Sequence, residues 1–211
     1  MLRISEIFYS LQGETNTVGL PTVFVRLTGC PLRCQYCDTA YAFSGGIKMS
    51  QAEVLEKISK YKAHYVTVTG GEPLAQKECI PLLTALCDQD YRVSLETSGA
   101  LDVSQVDARV VKILDLKTPG SQEVDKNLYE NIKYLNPHDQ IKFVICNRDD
   151  YDWSKEKITE YQLAQKFEIL FSPSHEELPV KDLAQWILED NLPVRLQIQL
   201  HKYIWGNEQG R

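Results

Sequence analysis

"TVFVRLTGCPLRCQYCDT", residues 22–39, sets a strand and a three-cysteine loop back to back. Residues 22–28 are β-branched and apolar enough to read as a strand. Directly after them Cys30, Cys34 and Cys37 fall at the spacing Cys-x3-Cys-x2-Cys, which uses half of the six cysteines in the chain. In a reducing compartment such a cluster points to metal or redox chemistry rather than to disulfides. Three thiolates are one ligand short of a closed tetrahedral site. Zinc would need a fourth ligand from elsewhere, with His64 and His138 as candidates, and the second ligand pair usual in structural zinc sites is missing. A cubane iron–sulfur cluster held by three thiolates would instead keep one iron open for a substrate or cofactor.

Outward from this loop, strand and helix patterns alternate. Residues 65–69, 91–97, 109–116, 140–145, 166–171 and 194–200 read as further strands. Residues 50–63, 79–89, 126–135, 149–164 and 179–190 read as helices. Ser50 and Glu53 form a capping box for the first helix, Pro81 fits only in a first turn, and Pro179 starts the last helix. Strands alternating with helices predict an α/β fold with a mainly parallel sheet and helices on its outer face. A closed eight-unit barrel takes about 250 residues. This chain has 211 residues. With about six strand–helix steps, an incomplete, TIM-like barrel is expected, as a single domain over 1–211 whose residues 200–211 form a C-terminal tail.

Parallel α/β proteins bind ligands at the carboxyl ends of their strands. The unusual polar residues collect there. The cysteine loop follows the first strand and Thr69 to Pro73 the second. Glu96 to Gly99, then Asp115 and Lys117, then Ser172 to Ser174, and finally Gln199 and His201 close later ones. Cys79, Cys87 and Cys146 read as small core residues. A net charge of −6 without a lysine or arginine run argues against a broad nucleic-acid surface. The N-terminal residues lack the apolar core of a signal peptide and no apolar run is long enough to cross a bilayer, so a cytoplasmic location without membrane contact is expected.

The Cys30–Cys34–Cys37 motif, with Tyr36 before the last cysteine, resembles the signature of the radical S-adenosylmethionine (SAM) superfamily. Gly70-Gly71-Glu72-Pro73 resembles that superfamily's segment for the SAM amine. The likeness narrows over "IFYSLQGETNTVGLPTVFVRLTGCPLRCQYCDT" (7–39), "TGGEPL" (69–74), "LETSG" (95–99), "LDLKTPG" (114–120) and "RLQIQLHKY" (195–203). These stretches resemble the 7-carboxy-7-deazaguanine synthase family of queuosine and 7-deazapurine biosynthesis. The resemblance implies a shortened barrel and conversion of 6-carboxy-5,6,7,8-tetrahydropterin to 7-carboxy-7-deazaguanine with loss of ammonia. It implies a 4Fe-4S cluster on Cys30, Cys34 and Cys37, SAM used catalytically on the open iron, and Mg²⁺.

Site roles follow from the same resemblance. Leu11, Gln12, Gly13, Glu14, Arg26, Thr69 and His201 are expected at the substrate, with Glu14 on the aminopyrimidine edge and Arg26 on the carboxylate. Tyr36, Cys37, Asp38, Gly71, Glu72, Asp115, Leu116, Lys117 and Phe171, Ser172, Pro173, Ser174 are expected around SAM. Thr39 is the Mg²⁺ residue, a hard oxygen ligand suited to that ion; read without the resemblance, Asp38-Thr39 would merely cap a turn. A flavodoxin or ferredoxin is the expected electron donor and a homodimer the expected assembly. Many family members end soon after the His-Lys pair in a proline whose carboxylate touches substrate. Here "YIWGNEQGR" follows Lys202, a tail expected to be disordered or to pack on a partner, with Trp205 as an anchor. The nearest rival is another small radical SAM enzyme, such as a glycyl-radical-enzyme activase, which must admit a protein loop. A rival of another class is a non-catalytic zinc scaffold.

Overall fold

"YVTVTG" (65–70) shows how the sheet is built. Val66 and Val68 are fully buried in the core, whereas Thr67 and Thr69 point to the other face, where Thr67 bonds Gln12 and Ser94 and Thr69 bonds Glu96. One face of the strand is therefore apolar and packed on helices, and the other is polar and lines the barrel interior. The computed structural model describes residues 1–210. Its strands are β1 (Leu2–Leu11), β2 (Pro21–Leu27), β3 (Ile47–Met49), β4 (Tyr65–Gly70), β5 (Arg92–Thr97), β6 (Val111–Asp115), β7 (Gln140–Ile145), β8 (Glu168–Pro173) and β9 (Arg195–Leu196). The helices are α1 (Gln51–Ser59), α2 (Cys79–Asp88), α3 (Arg148–Glu160), α4 (Val180–Glu189) and α5 (Leu200–Trp205).

The strands form one sheet in the order β3-β1-β2-β4-β5-β6-β7-β8-β9. From β2 to β9 every pairing is parallel, and β1 pairs antiparallel with β2 and β3. Among the described residues the edge strands β3 and β9 do not meet, so the barrel is open, as the chain length predicts. Leu82, Leu83 and Leu86 of α2, Val54 and Ile58 of α1, Tyr151 and Ile158 of α3 and Leu183 of α4 bury the outer face of the sheet. Each aliphatic side chain among them contributes about 1.5–3 kcal/mol of transfer free energy. The capping box at α1 is present, with Ser50 accepting from the Glu53 amide and Glu53 accepting from the Ser50 amide.

Three expectations need correction, and the strands β1 and β3 stand where none was expected. Residues 126–135 form short 3-10 turns rather than one helix, because two asparagines there hold neighbouring loops instead of solvating a helix face. Asn127 brackets Lys117 through both its main-chain groups, and buried Asn131 bonds Gly99, Leu101 and Val103. The last strand ends at Leu196, and residues 200–205 turn into α5, so Gln199 and His201 enter a helix rather than close a strand. Cys79 and Cys87 lie in the core, but Cys146 is only half-buried, with its thiol beside Asp150 and Glu177.

Candidate active site

The carboxyl ends of the parallel strands open into a cavity of about 630 Å³. The loop after β2 brings Cys30, Cys34 and Cys37 to its wall. Gln35 fixes this loop from outside, its amide donating to Ser121 O at 3.1 Å and its side chain to Glu177 at 2.7 Å. Burial raises the Cys34 thiol to about 11 and raises Cys30 in the same direction; a bound metal would supply the positive charge that ionises them. Against this loop lies Gly71. A Cβ there would stand 2.2 Å from Gly29 O and 2.9 Å from Cys30 Cβ, so only glycine lets the two loops touch. Among the described residues no three His, Cys, Asp or Glu side chains converge tightly enough to hold one metal ion. Thiolates on a cubane each take a different iron and need not converge. His64 and His138 precede β4 and β7, at the opposite ends of the strands from the cysteines, which removes both candidates for a fourth zinc ligand.

Next to the cysteine loop, Asp115 and Lys117 pair at 3.0 Å under the Tyr36 ring, with the Lys117 ammonium 5.8 Å from the ring centre. Burial opposes the Lys117 charge, but Asp115, Tyr36 and Cys34 outweigh it and hold its pKa well above the usual lysine range. Asp115 Oδ1 and the Tyr36 hydroxyl are buried without a partner in the protein. Both residues line the cavity, so a hydrogen-bonding ligand bound there would supply the missing partners. Gly71, Tyr36, Asp38, Asp115, Lys117, Ser172, Pro173 and Ser174 all line the cavity. The residues present therefore fit a 4Fe-4S cluster with SAM beside it. Glu72, Leu116 and Phe171 do not line the cavity and are fully buried behind it. Glu72 accepts from the hydroxyls of Thr97 and Ser98 and from the amides of Ser98 and Leu74, tying the Gly-Gly loop to the loop after β5. Its part is to shape that wall.

The other half of the cavity is walled by β1, β2, β4, β5, β7 and α5. Leu11, Gln12, Gly13, Glu14, Arg26, Thr69 and His201 are all brought there, together with Thr39. Arg26 donates to Glu6 at 2.6 Å, and the Tyr41 hydroxyl donates to the same oxygen at 2.8 Å. Burial disfavours the Arg26 charge, yet Tyr41 and Glu6 more than offset it and raise its pKa. Glu14 accepts from Lys142 at 2.7 Å, while Glu14 Oε1 is buried and unpartnered. The Thr39 hydroxyl makes no capping bond to the turn it precedes; it lies 3.8 Å from Cys37 Sγ. Asp38 accepts from Gln199 at 3.3 Å and lies 3.6 Å from Lys202 Nζ. Burial opposes the Asp38 charge, but Lys202, Lys142 and Arg26 lower its pKa overall. Far from hanging free, residues 206–210 line the cavity mouth.

Glu6, Tyr41, Lys142 and Lys202 join the site without having been assigned to it, and Glu96 and Gln199, expected on its rim without a role, line it. Lys142 had a signal in the sequence, since "QIKFVI" puts a lysine inside an apolar strand, where a charge needs a buried partner.

Residues 24–165 match the model of the radical SAM superfamily. A 7-carboxy-7-deazaguanine synthase of Koribacter versatilis is 43% identical, over 98% of each chain. One of Chlorobaculum tepidum is 45% identical, over 97% of this chain and 94% of the relative. The crystal structure of QueE from Escherichia coli superposes with a TM-score of 0.78 at 24% identity, over 95% of this chain and 94% of that one, and shows the same fold. The chain belongs to the 7-carboxy-7-deazaguanine synthase family of the radical SAM superfamily.

Proposed function

We propose that this enzyme converts 6-carboxy-5,6,7,8-tetrahydropterin to 7-carboxy-7-deazaguanine, releasing ammonia, within a site shared by the cluster wall and the Arg26–Glu14 wall. The observation that carries this reading is the pairing, in one cavity, of a three-thiol loop with a guanidinium and a half-satisfied buried carboxylate. When bound, the cluster and SAM would supply the radical chemistry of the reaction. Cys30, Cys34 and Cys37 hold the cluster, and Asp115, Lys117 and Tyr36 receive the sugar and carboxylate of SAM. Arg26, held by Glu6, which Tyr41 fixes in turn, offers its remaining donors to the substrate carboxylate as a planar fork. Glu14, held by Lys142, turns its unpartnered oxygen toward the aminopyrimidine edge. His201, whose pKa burial lowers, is a neutral imidazole over Gly13. The Thr39 hydroxyl, on the cavity wall, would be the protein ligand of Mg²⁺ beside the substrate carboxylate. The protein's task is positioning and exclusion of water.

A flavodoxin or ferredoxin is the proposed reductant, and a homodimer the proposed assembly. No helix among the described residues is long and apolar enough to cross a membrane. Anaerobic turnover with the carboxytetrahydropterin tests the reading, with product identified by mass and ultraviolet spectrum. SAM cleavage that the pterin does not stimulate, with no deazapurine formed, would contradict it. Thr39→Ala should abolish Mg²⁺ stimulation with the cluster intact; unchanged metal dependence would remove that role.

A further inference from the structure

Glu96 lines the cavity, yet none of the roles above uses it. Its place follows from the sheet. Arg26 pairs with Thr69 across β2 and β4, and Val68 with Leu95 across β4 and β5. Arg26, Thr69 and Glu96 thus take successive places on adjacent strands, about 4.8 Å apart at each step. Glu96 Oε2 accepts from Thr69 Oγ1 at 2.8 Å, and Oε1 accepts from Gln12 Nε2 at 3.4 Å. Gln12 Oε1 in turn accepts from the Glu14 amide at 3.2 Å, so Glu14 stands on the far side of Gln12. Burial and the nearby Glu14 raise the Glu96 pKa, while Lys142, Thr69 and Arg26 pull it down. With two of its several acceptor sites in use, one of them at long range, the carboxylate has capacity left for a ligand.

The inference rests on the proposed function. If the substrate carboxylate lies on Arg26 and its aminopyrimidine edge on Glu14, the saturated ring between them meets Glu96. Along either side of that ring a tetrahydropterin carries a secondary N–H, a donor. In the fully aromatic pterin both positions are pyrazine nitrogens with lone pairs only, which an acceptor-only carboxylate repels. We propose that Glu96 selects the reduced ring, its carboxylate accepting a ring N–H of the tetrahydropterin and rejecting the aromatic pterin.

Binding to the reconstituted holoenzyme, with SAM and Mg²⁺ but no reductant, tests this under anaerobic conditions. The dissociation constant of 6-carboxypterin is read from its fluorescence and that of 6-carboxytetrahydropterin by competition. The wild type should prefer the reduced ligand by at least about tenfold, since an unpaired polar group is what a hydrogen-bonding site rejects most strongly. Glu96→Gln should bring the two constants to within about twofold, weakening the reduced ligand and tightening the aromatic one, whose ring nitrogen the amide NH2 can donate to, whereas Glu96→Asp should keep the preference with looser binding. Equal weakening of both ligands in Glu96→Gln would mean that Glu96 only holds Thr69 and Gln12, and would overturn the proposal. Should that variant not fold, loss of preference in Glu96→Asp, or none in the wild type, would overturn it as well. A wild type that turns over the tetrahydropterin but binds both forms equally sinks this inference alone; one that binds neither pterin sinks the proposed function with it.

Discussion

Gly13 is required by its neighbour rather than by its own backbone, since a Cβ there would lie 2.1 Å from His201 Nδ1. The imidazole lies against the chain where Leu11 to Glu14 enter the cavity, and Leu200 N bonds Gly13 O at 3.0 Å. Gly13→Ala should push His201 aside and raise the KM for the pterin about tenfold or more, as overpacking costs about 1–3 kcal/mol. Steady-state kinetics and a thermal melt check this; an unchanged KM with an unchanged melt would contradict it. His201 also titrates abnormally, because burial lowers its pKa below the usual value. The unfolded chain therefore takes up this proton first as pH falls through about 6.5. Stability from this residue is full above that pH and is lost as pH falls toward the lower folded value. Urea midpoints between pH 7.5 and 5.5 should fall more steeply in the wild type than in His201→Asn.

At the scale of elements, α5 is a short helix with no side-chain cap, held by contacts to other parts of the chain. Asp38 holds its N-terminal turn, through Gln199 and Lys202, and so joins the cysteine loop to the segment that carries His201. The pair is partly exposed, which limits it to about 1 kcal/mol at most. Lys202→Met should therefore raise the pterin KM by up to about fivefold, leaving the SAM constant and the cluster spectrum unchanged. An effect on SAM instead would place Lys202 elsewhere. The sequence announced this region only as a polar end to a strand. Helix and strand periods are read from local patterns, and α5 depends on long-range anchors that no pattern displays. The same holds for 126–135, where Asn127 and Asn131 act on loops far along the chain. The strands β4 to β8 were legible because each is apolar on the helix side, and the cysteine loop because its spacing carries chemistry by itself.

Across the whole molecule, polar groups are divided between a functional interior and a few buried structural pairs. Lys112 and Asp139 form such a pair at 2.8 Å, both essentially inaccessible, and Asp139 also accepts from the amides of Lys112 and Asn136. Asp139→Ala leaves a buried ammonium and two amides unpaired, so it should cost about 3–5 kcal/mol, read as a lower urea midpoint. A loss below about 1 kcal/mol would show that the lysine finds water or another partner. The sequence placed the rim residues on one end of an open barrel, and the structure keeps them there. It could not separate residues that touch the cavity from those that build its wall, as Glu72, Leu116 and Phe171 show, because motif membership does not report which way a side chain turns.

The proposed chemistry rests on three cysteines holding an iron–sulfur cluster with one corner left for SAM. Anaerobic reconstitution followed by metal analysis and electron paramagnetic resonance, with and without SAM, decides the point. About four irons per chain are expected, with a reduced-cluster signal that SAM perturbs and loss of both in Cys34→Ala. Zinc in place of iron, or a cluster signal indifferent to SAM, would contradict it.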